Sequence, residues 1–214
     1  MKITSLLGSP SAPSRSAALL QLAQSRLRPH ASSFSTVTIR ELPAQALTQA
    51  RFDDPDIVQA VRQVTQAQVL LVATPIYKAA YSGLLKAFLD LLPQDALRDK
   101  TVLPLATGGS AAHLLALDYA LKPVLSALGA RDILDAVYAS DAQVTRIVGG
   151  AGDAFAVHED ISERIDRSLQ GLVGRARAWR AEAEAAEERD ALLRRARHAA
   201  GDAAWATPDV RWAT

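Results

Sequence analysis

The sequence predicts an α/β fold, a five-stranded parallel sheet with helices on both faces. Three observations predict it. Short apolar runs alternate with amphipathic segments of helical length along most of the chain. The run Val69-Leu70-Leu71-Val72 is apolar at successive positions, so both its faces must be covered, as in a central strand of a parallel sheet. Several of the apolar runs end in Gly, Ser or Pro and lead straight into a helix, the pattern of a βα turn.

The elements follow in order. Lys2 to Leu7 is a strand ending at Gly8-Ser9-Pro10. Ser14 is a suitable N-cap for a helix carrying Leu19, Leu20, Ala23 and Leu27. Ser35 to Ile39 turns Val37 and Ile39 inward as a second strand, and Pro43 to Arg51 reads as a linker. Asp53 or Asp54 caps a helix with Pro55 in its first turn and Ile57, Val61 and Val64 on one face. Val69 to Val72 is the third strand, and Leu84 to Leu92 the helix after it. Thr101 to Ala106 is the fourth strand, with Pro104 set awkwardly where a ladder donor is expected. His113 to Leu128 reads as one amphipathic helix with Leu114, Leu117, Leu121, Val124, Leu125 and Leu128 inward, ended by Gly129. Ile133 to Tyr138 is the fifth strand, and Asp160 to Trp179 the last helix of a domain spanning residues 1–180. Right-handed crossovers then give the doubly wound, flavodoxin-like strand order 2-1-3-4-5.

Residues 181–214 differ in character. Ala, Glu and Arg dominate, and the apolar content to residue 200 is alanine plus Leu192 and Leu193. Such a segment favours helix but has little to bury. It reads as a solvated helical or partly disordered extension, with a partner-binding helix as the alternative.

Composition narrows the chemistry. The chain has 214 residues, 49% of them hydrophobic, which suffices for a large core. It has no cysteine, which excludes disulfides, thiolate metal sites and a cysteine nucleophile and suits a cytoplasmic location. Its four histidines lack metal-ligand spacing. A net charge of +1 and the lack of a basic stripe argue against nucleic acid. No apolar run approaches the ~20 residues that span a bilayer.

In a doubly wound sheet, ligands bind beyond the carboxyl ends of the strands, near the point where strand order reverses. Three loops leave such ends. The first carries Ser9, Ser14, Arg15 and Ser16 and runs into a helix N-terminus, whose free N–H groups and partial positive charge suit a phosphate. An ordinary capped turn with serine filler explains the same residues. The second, Ala73-Thr74-Pro75-Ile76-Tyr77-Lys78-Ala79-Ala80-Tyr81-Ser82-Gly83, offers backbone groups from Pro75 to Ala79 and two tyrosines to a flat ring. The tyrosines equally serve as anchors for the next helix. The third is Thr107-Gly108-Gly109-Ser110, where glycines let backbone approach a planar ligand, with His113 one turn on. Pro123 cannot donate to the carbonyl of Tyr119, so the helix is expected to kink or widen there into a π-type turn.

Four stretches are specific enough to carry a resemblance: residues 8–16, residues 73–83, Leu103-Pro104-Leu105-Ala106-Thr107-Gly108-Gly109, and residues 113–123. They resemble the NADPH-dependent FMN reductases, above all the reductase component of two-component alkanesulfonate monooxygenase systems. The resemblance implies FMN held by the three loops and NADPH as hydride donor. It implies a homo-oligomer, dimer or tetramer, with Tyr119 on a π-helix at the subunit contact, where it makes flavin a released substrate. It implies a partner FMN-dependent monooxygenase that receives the reduced flavin. No catalytic acid, base or metal is expected. An FMN-bound quinone or azo reductase, a flavodoxin-type electron carrier, and an interaction protein recruited through the helical tail are the rival expectations.

Overall fold

The computed structural model describes residues 1–147 and 154–203. The chain divides into two compact units, Met1–Gly174 and Arg175–Thr214. The first unit contains β1 Lys2–Leu7, α1 Arg15–Leu27, β2 Ser33–Thr38, α2 Ala44–Thr48, α3 Pro55–Thr65, β3 Val69–Tyr77, β4 Ala80–Tyr81, α4 Gly83–Leu89 and β5 Thr101–Gly108. There follow a π-helical turn at Leu117–Leu121, α5 Lys122–Ala127, β6 Asp132–Ile133, β7 Val137–Ser140, β8 Val144–Ile147 and β9 Ala154–Val157. The last helix, α6, is Glu159–Ala203.

The main sheet is a flavodoxin-like parallel sheet with β2, β1, β3, β5 and β6 side by side, and β7 continues along the same edge of β5. Allowing for the small hairpin strand β4, this is the expected order. Val69 to Val72 have no exposed surface, as their apolar run demands. One face of the sheet packs Leu6, Leu70, Val72, Val102 and Ala106 against Ile57, Val64, Leu85, Phe88 and Leu125. On the other face α1 covers β1, β3 and β5, burying Leu19, Leu20, Ala23 and Leu27. Within the first unit, α6 adds Ile161, Ile165, Leu169 and Leu172 to the buried set.

The caps obey local chemistry. Ser14 Oγ accepts from Ala17 N, and Asp54, not Asp53, accepts from Asp56 N and Ile57 N. Gly129 takes φ +93° just past α5, as a helix-ending glycine should. Pro104 breaks no ladder bond. Val102 O accepts from Leu134 N on the outer side of β5, and Pro104, two residues on, faces that same side. There the neighbouring strand is interrupted between Ile133 and Val137, so no donor is needed.

Several expectations need correction. Residues 43–51 are not a plain linker, because α2 forms there and buries Ala46 and Leu47. The second strand runs Ser33–Thr38, with Ile39 in a 3-10 turn. The third strand extends through the Pro-Ile-Tyr motif to Tyr77. The fifth is split into β6 and β7. The antiparallel pair β8–β9 was not anticipated. The segment from His113 is not one amphipathic helix: Leu114 and Leu115 are exposed, and regular α-helix begins only at Lys122. The final helix does not stop at Trp179. In the second unit it continues to Ala203 with Leu192 and Leu193 exposed, while residues 204–214 of the tail lie outside the described residues.

Candidate active site

The carboxyl ends of β1, β3 and β5 open onto a cleft of about 370 Å³, a size typical of small-ligand sites. Ser9, Ser14, Arg15 and Ser16 line it from the first loop, Pro75, Ile76 and Tyr77 from the second, and Thr107, Gly108 and Gly109 from the third. Ser11 and Pro13 complete the first wall. Asp141 and Phe155 line it from the turn after β7 and from β9. Lys78, Ala79, Ser110 and His113 are not among the lining residues.

The loop ends are locked together by hydrogen bonds. Gly8 N donates to Ala73 O at 2.8 Å. Ser82 Oγ donates to Gly8 O and accepts from Leu85 N as the N-cap of α4. Thr74 Oγ1 accepts from Ser82 N. A Cβ on Gly8 would lie 2.7 Å from Leu85 Cβ, so this position admits only glycine without a shift of α4. The second loop is a tight β-hairpin in which Ile76 pairs with Tyr81 and Tyr77 with Ala80. Its two turn residues, Lys78 and Ala79, have φ of 49° and 62°. This is the left-handed geometry of a two-residue hairpin turn, here carried by non-glycine residues that must be held there. The turn leaves Tyr77 half exposed on the cleft wall and buries Tyr81.

The serines divide by role. Ser16 Oγ hydrogen-bonds Thr107 Oγ1 at 2.8 Å in a buried pair that ties α1 to β5. Ser9 Oγ is engaged with the backbone of Ser11 at 3.3 Å. Ser14 caps α1, which uses an oxygen lone pair and leaves its O–H to donate. Arg15 is held by the segment missed in the sequence. Its Nε donates to Val144 O at 2.9 Å, its guanidinium lies over the Phe155 ring at 5.9 Å, and Asp141 Oδ1 stands 3.6 Å from Nε. The two terminal nitrogens of the fork have no hydrogen-bond partner among the described residues.

The glycines also divide. Around Gly109 there is open space, so backbone there can approach a ligand. A Cβ on Gly108 would instead lie 2.6 Å from Tyr138 Oη, which donates to Ser110 O at 2.6 Å. Gly108 thus makes room for the Tyr138 anchor. Burial pushes the Tyr138 phenol up, and the Asp141 charge adds to this, which keeps it a donor. His113 ends a 3-10 turn, and its Nδ1 is buried without a partner among the described residues.

Tyr119 sits on the π-helical turn, where Lys122 N donates to Leu117 O, five residues back. This is the widening that Pro123 predicts, since proline supplies no N–H one residue later. Tyr119 is 77% exposed, with Leu114 and Leu115 exposed nearby in sequence, and the turn packs against β4. A wider groove of about 680 Å³ runs between α1, the end of β2 and β9 and shares Pro13, Ser14 and Phe155 with the cleft. Its further lining is mostly aliphatic and amide, with Thr36, Thr38, Ser162 and Arg40 as its other polar groups, and Arg40 is already paired with Glu41 at 3.0 Å.

The cleft's chemistry fits a phosphorylated planar ligand. Arg15, the Ser14 hydroxyl and the first-turn amides of α1 form a donor set for a phosphate. Pro75 to Tyr77 and the open face at Gly109 offer flat walls and main-chain groups to a ring. Comparison with known proteins agrees. The profile of the family described as NADPH-dependent FMN reductase matches residues 1–145. An FMN reductase (NADPH) of Escherichia coli is 53% identical over 144 residues, which cover 67% of this chain and 75% of that protein. One from Pseudomonas putida is 50% identical over 170 residues, covering 79% of this chain and 85% of that one. The crystal structure of an apo NADH:FMN oxidoreductase (EMOB) superposes with a TM-score of 0.70 at 38% identity, covering 80% and 87% of the two chains. Fold, cleft and kinship agree, and the chain belongs to the NADPH-dependent FMN reductase family.

Proposed function

We propose that this chain oxidises NADPH to reduce FMN and releases the reduced flavin to a separate flavin-dependent monooxygenase, serving alkanesulfonate desulfonation and sulfur acquisition. NAD(P)H:FMN oxidoreductase activity is that of its family. The observation that carries the cofactor assignment is the convergence of three βα loops on one cleft with an oriented arginine at one end. When bound, FMN supplies the hydride-accepting chemistry, and nicotinamide the hydride. The protein's own groups bind and orient. Arg15, Ser14 and the N-terminus of α1 hold the phosphate, with Ser9 and Ser16 shaping that loop. Pro75, Ile76 and Tyr77, with Thr107, Gly108 and Gly109, position the ring. Lys78, Ala79, Ser110 and His113 support these walls from outside the cleft. No side chain is assigned a proton-transfer role, because hydride transfer between two cofactors requires none.

The homo-oligomer, a dimer or tetramer, is supported by the exposed apolar residues Leu114, Leu115 and Tyr119 at and before the π-helical turn. Tyr119 is proposed to sit at that contact and to favour flavin exchange. The alkanesulfonate assignment rests on the resemblance of the four motifs to the reductase component of such systems.

The test measures NADPH consumption by the purified protein with and without added FMN, after its bound flavin has been quantified. Little bound flavin and turnover that saturates with added FMN support a flavin-releasing reductase. A stoichiometric flavin, indifference to added FMN and acceleration by quinones or azo compounds would replace this reading by an FMN-bound quinone or azo reductase. A flavin that stays bound without NADPH oxidation would indicate an electron carrier.

A further inference from the structure

We propose that Asp141 sets the flavin affinity: its carboxylate offsets the Arg15 charge at the phosphate end of the cleft and weakens the hold on FMN, so that the flavin leaves. The inference rests on the function proposed above and concerns the same cleft. Among the described residues, Asp141 is the one acidic side chain lining a cleft suited to a phosphate dianion. It is fixed there, because its backbone N donates to Gly108 O at 3.0 Å at the end of β5.

Its separation from Arg15 decides how it acts. At 3.6 Å from Nε the carboxylate is beyond good hydrogen-bond distance and works mainly by charge. Orientation of the fork comes from elsewhere, from Val144 O at 2.9 Å and the Phe155 ring. Neutralising Asp141 therefore leaves Arg15 in place and removes an anion from the rim. The pair does not exist to stabilise the fold, since both side chains are more than a third exposed and such pairs contribute little. Near a flavin phosphate carrying about −1.5 to −2 charge, a carboxylate several ångströms away repels by an amount worth about fivefold to tenfold in affinity.

The experiment titrates the purified full chain with FMN and with riboflavin, which lacks the phosphate, following flavin fluorescence at low and high salt. Wild type is compared with Asp141→Asn and, as a second neutral variant, Asp141→Ser. Both variants are expected to bind FMN about fivefold to tenfold more tightly at low salt, with the gain shrinking at high salt. Riboflavin affinity is expected to be unchanged. Unchanged FMN affinity overturns the proposal. Weakened FMN binding also overturns it, by making Asp141 a residue that positions Arg15. Equal tightening of riboflavin overturns it too, by tracing the effect to ring packing. Failure of wild-type protein to bind either flavin would instead overturn the proposed function.

Discussion

Replacing Gly108 with alanine should destabilise the protein through Tyr138 and not through a lost ligand contact. The new methyl would lie 2.6 Å from Tyr138 Oη, closer than real Cβ contacts, with Ile76 Cβ and Tyr138 Cε2 both at 3.4 Å. The phenol must move, and moving it breaks its 2.6 Å bond to Ser110 O. Overpacking costs about 1–3 kcal/mol, and the lost hydrogen bond adds about 1 kcal/mol. Gly108→Ala should therefore cost about 2–4 kcal/mol, or about 4–16 °C in Tm for a chain of this size. Tyr138→Phe alone should cost about 1 kcal/mol. In the Tyr138→Phe background the methyl meets only contacts at 3.4 Å, so the same glycine substitution should cost well under 1 kcal/mol, a coupling of about 1–3 kcal/mol. Urea unfolding of wild type, both single variants and the double variant closes the cycle. Additive costs, or a Gly108→Ala protein as stable as wild type, would refute the reasoning. Flavin titration of the same four proteins asks whether the double variant regains binding together with stability, as it should if Gly108 serves the tyrosine.

Other outcomes follow from the same geometry. Arg15→Ala should weaken FMN binding by about tenfold to a hundredfold, the worth of a charge-assisted hydrogen bond, while leaving riboflavin binding little changed; parallel fluorescence titrations check this. Tyr119→Ala should leave the stability of the monomer within about 0.5 kcal/mol, because the side chain is 77% exposed in the single chain. It should shift the oligomer toward smaller species in sedimentation, and unchanged mass would refute the proposed contact. Lys100 donates to Thr65 O at 2.6 Å, at the last residue of α3, and to Ala67 O at 2.7 Å just after it, and burial pushes its ammonium pKa down from 10.5. The unfolded chain then binds more protons between that lowered value and 10.5, so this group's contribution to stability rises with pH across the window. Lys100→Met should remove that rise, and a wild-type-minus-variant stability difference that stays flat from neutral pH to 10.5 would refute it.

Much of the site is legible in the chain because its first layer is local. Ser14 caps the helix it precedes, Pro75 to Tyr77 leave a strand whose burial the sequence dictates, and Gly108 and Gly109 follow the next one. Pro123 reports the π-helical turn at Tyr119 because a missing N–H is a local fact. Less legible were the groups that reach the cleft from far along the chain. Asp141, Val144 and Phe155 hold or face Arg15 across more than a hundred residues, and no spacing rule links them. The fate of each hydroxyl was equally hidden. Ser9, Ser14 and Ser16 look alike in sequence, yet Ser16 is spent on Thr107, across 91 residues.

The alternation of apolar runs and amphipathic helices determined by itself that this chain forms a doubly wound sheet, because period and burial are properties of neighbouring residues. It also determined which three loops meet at the sheet's carboxyl edge, since parallel strands joined by crossovers place those loops together. Only the tertiary structure decided how the loops are used. It set Gly108 against Tyr138, split the fifth strand so that Pro104 needs no partner, turned Leu114 and Leu115 outward, and brought an acid to the rim of the cleft beside Arg15. Each of these depends on two residues distant in sequence occupying one place, and a local pattern carries no record of that meeting.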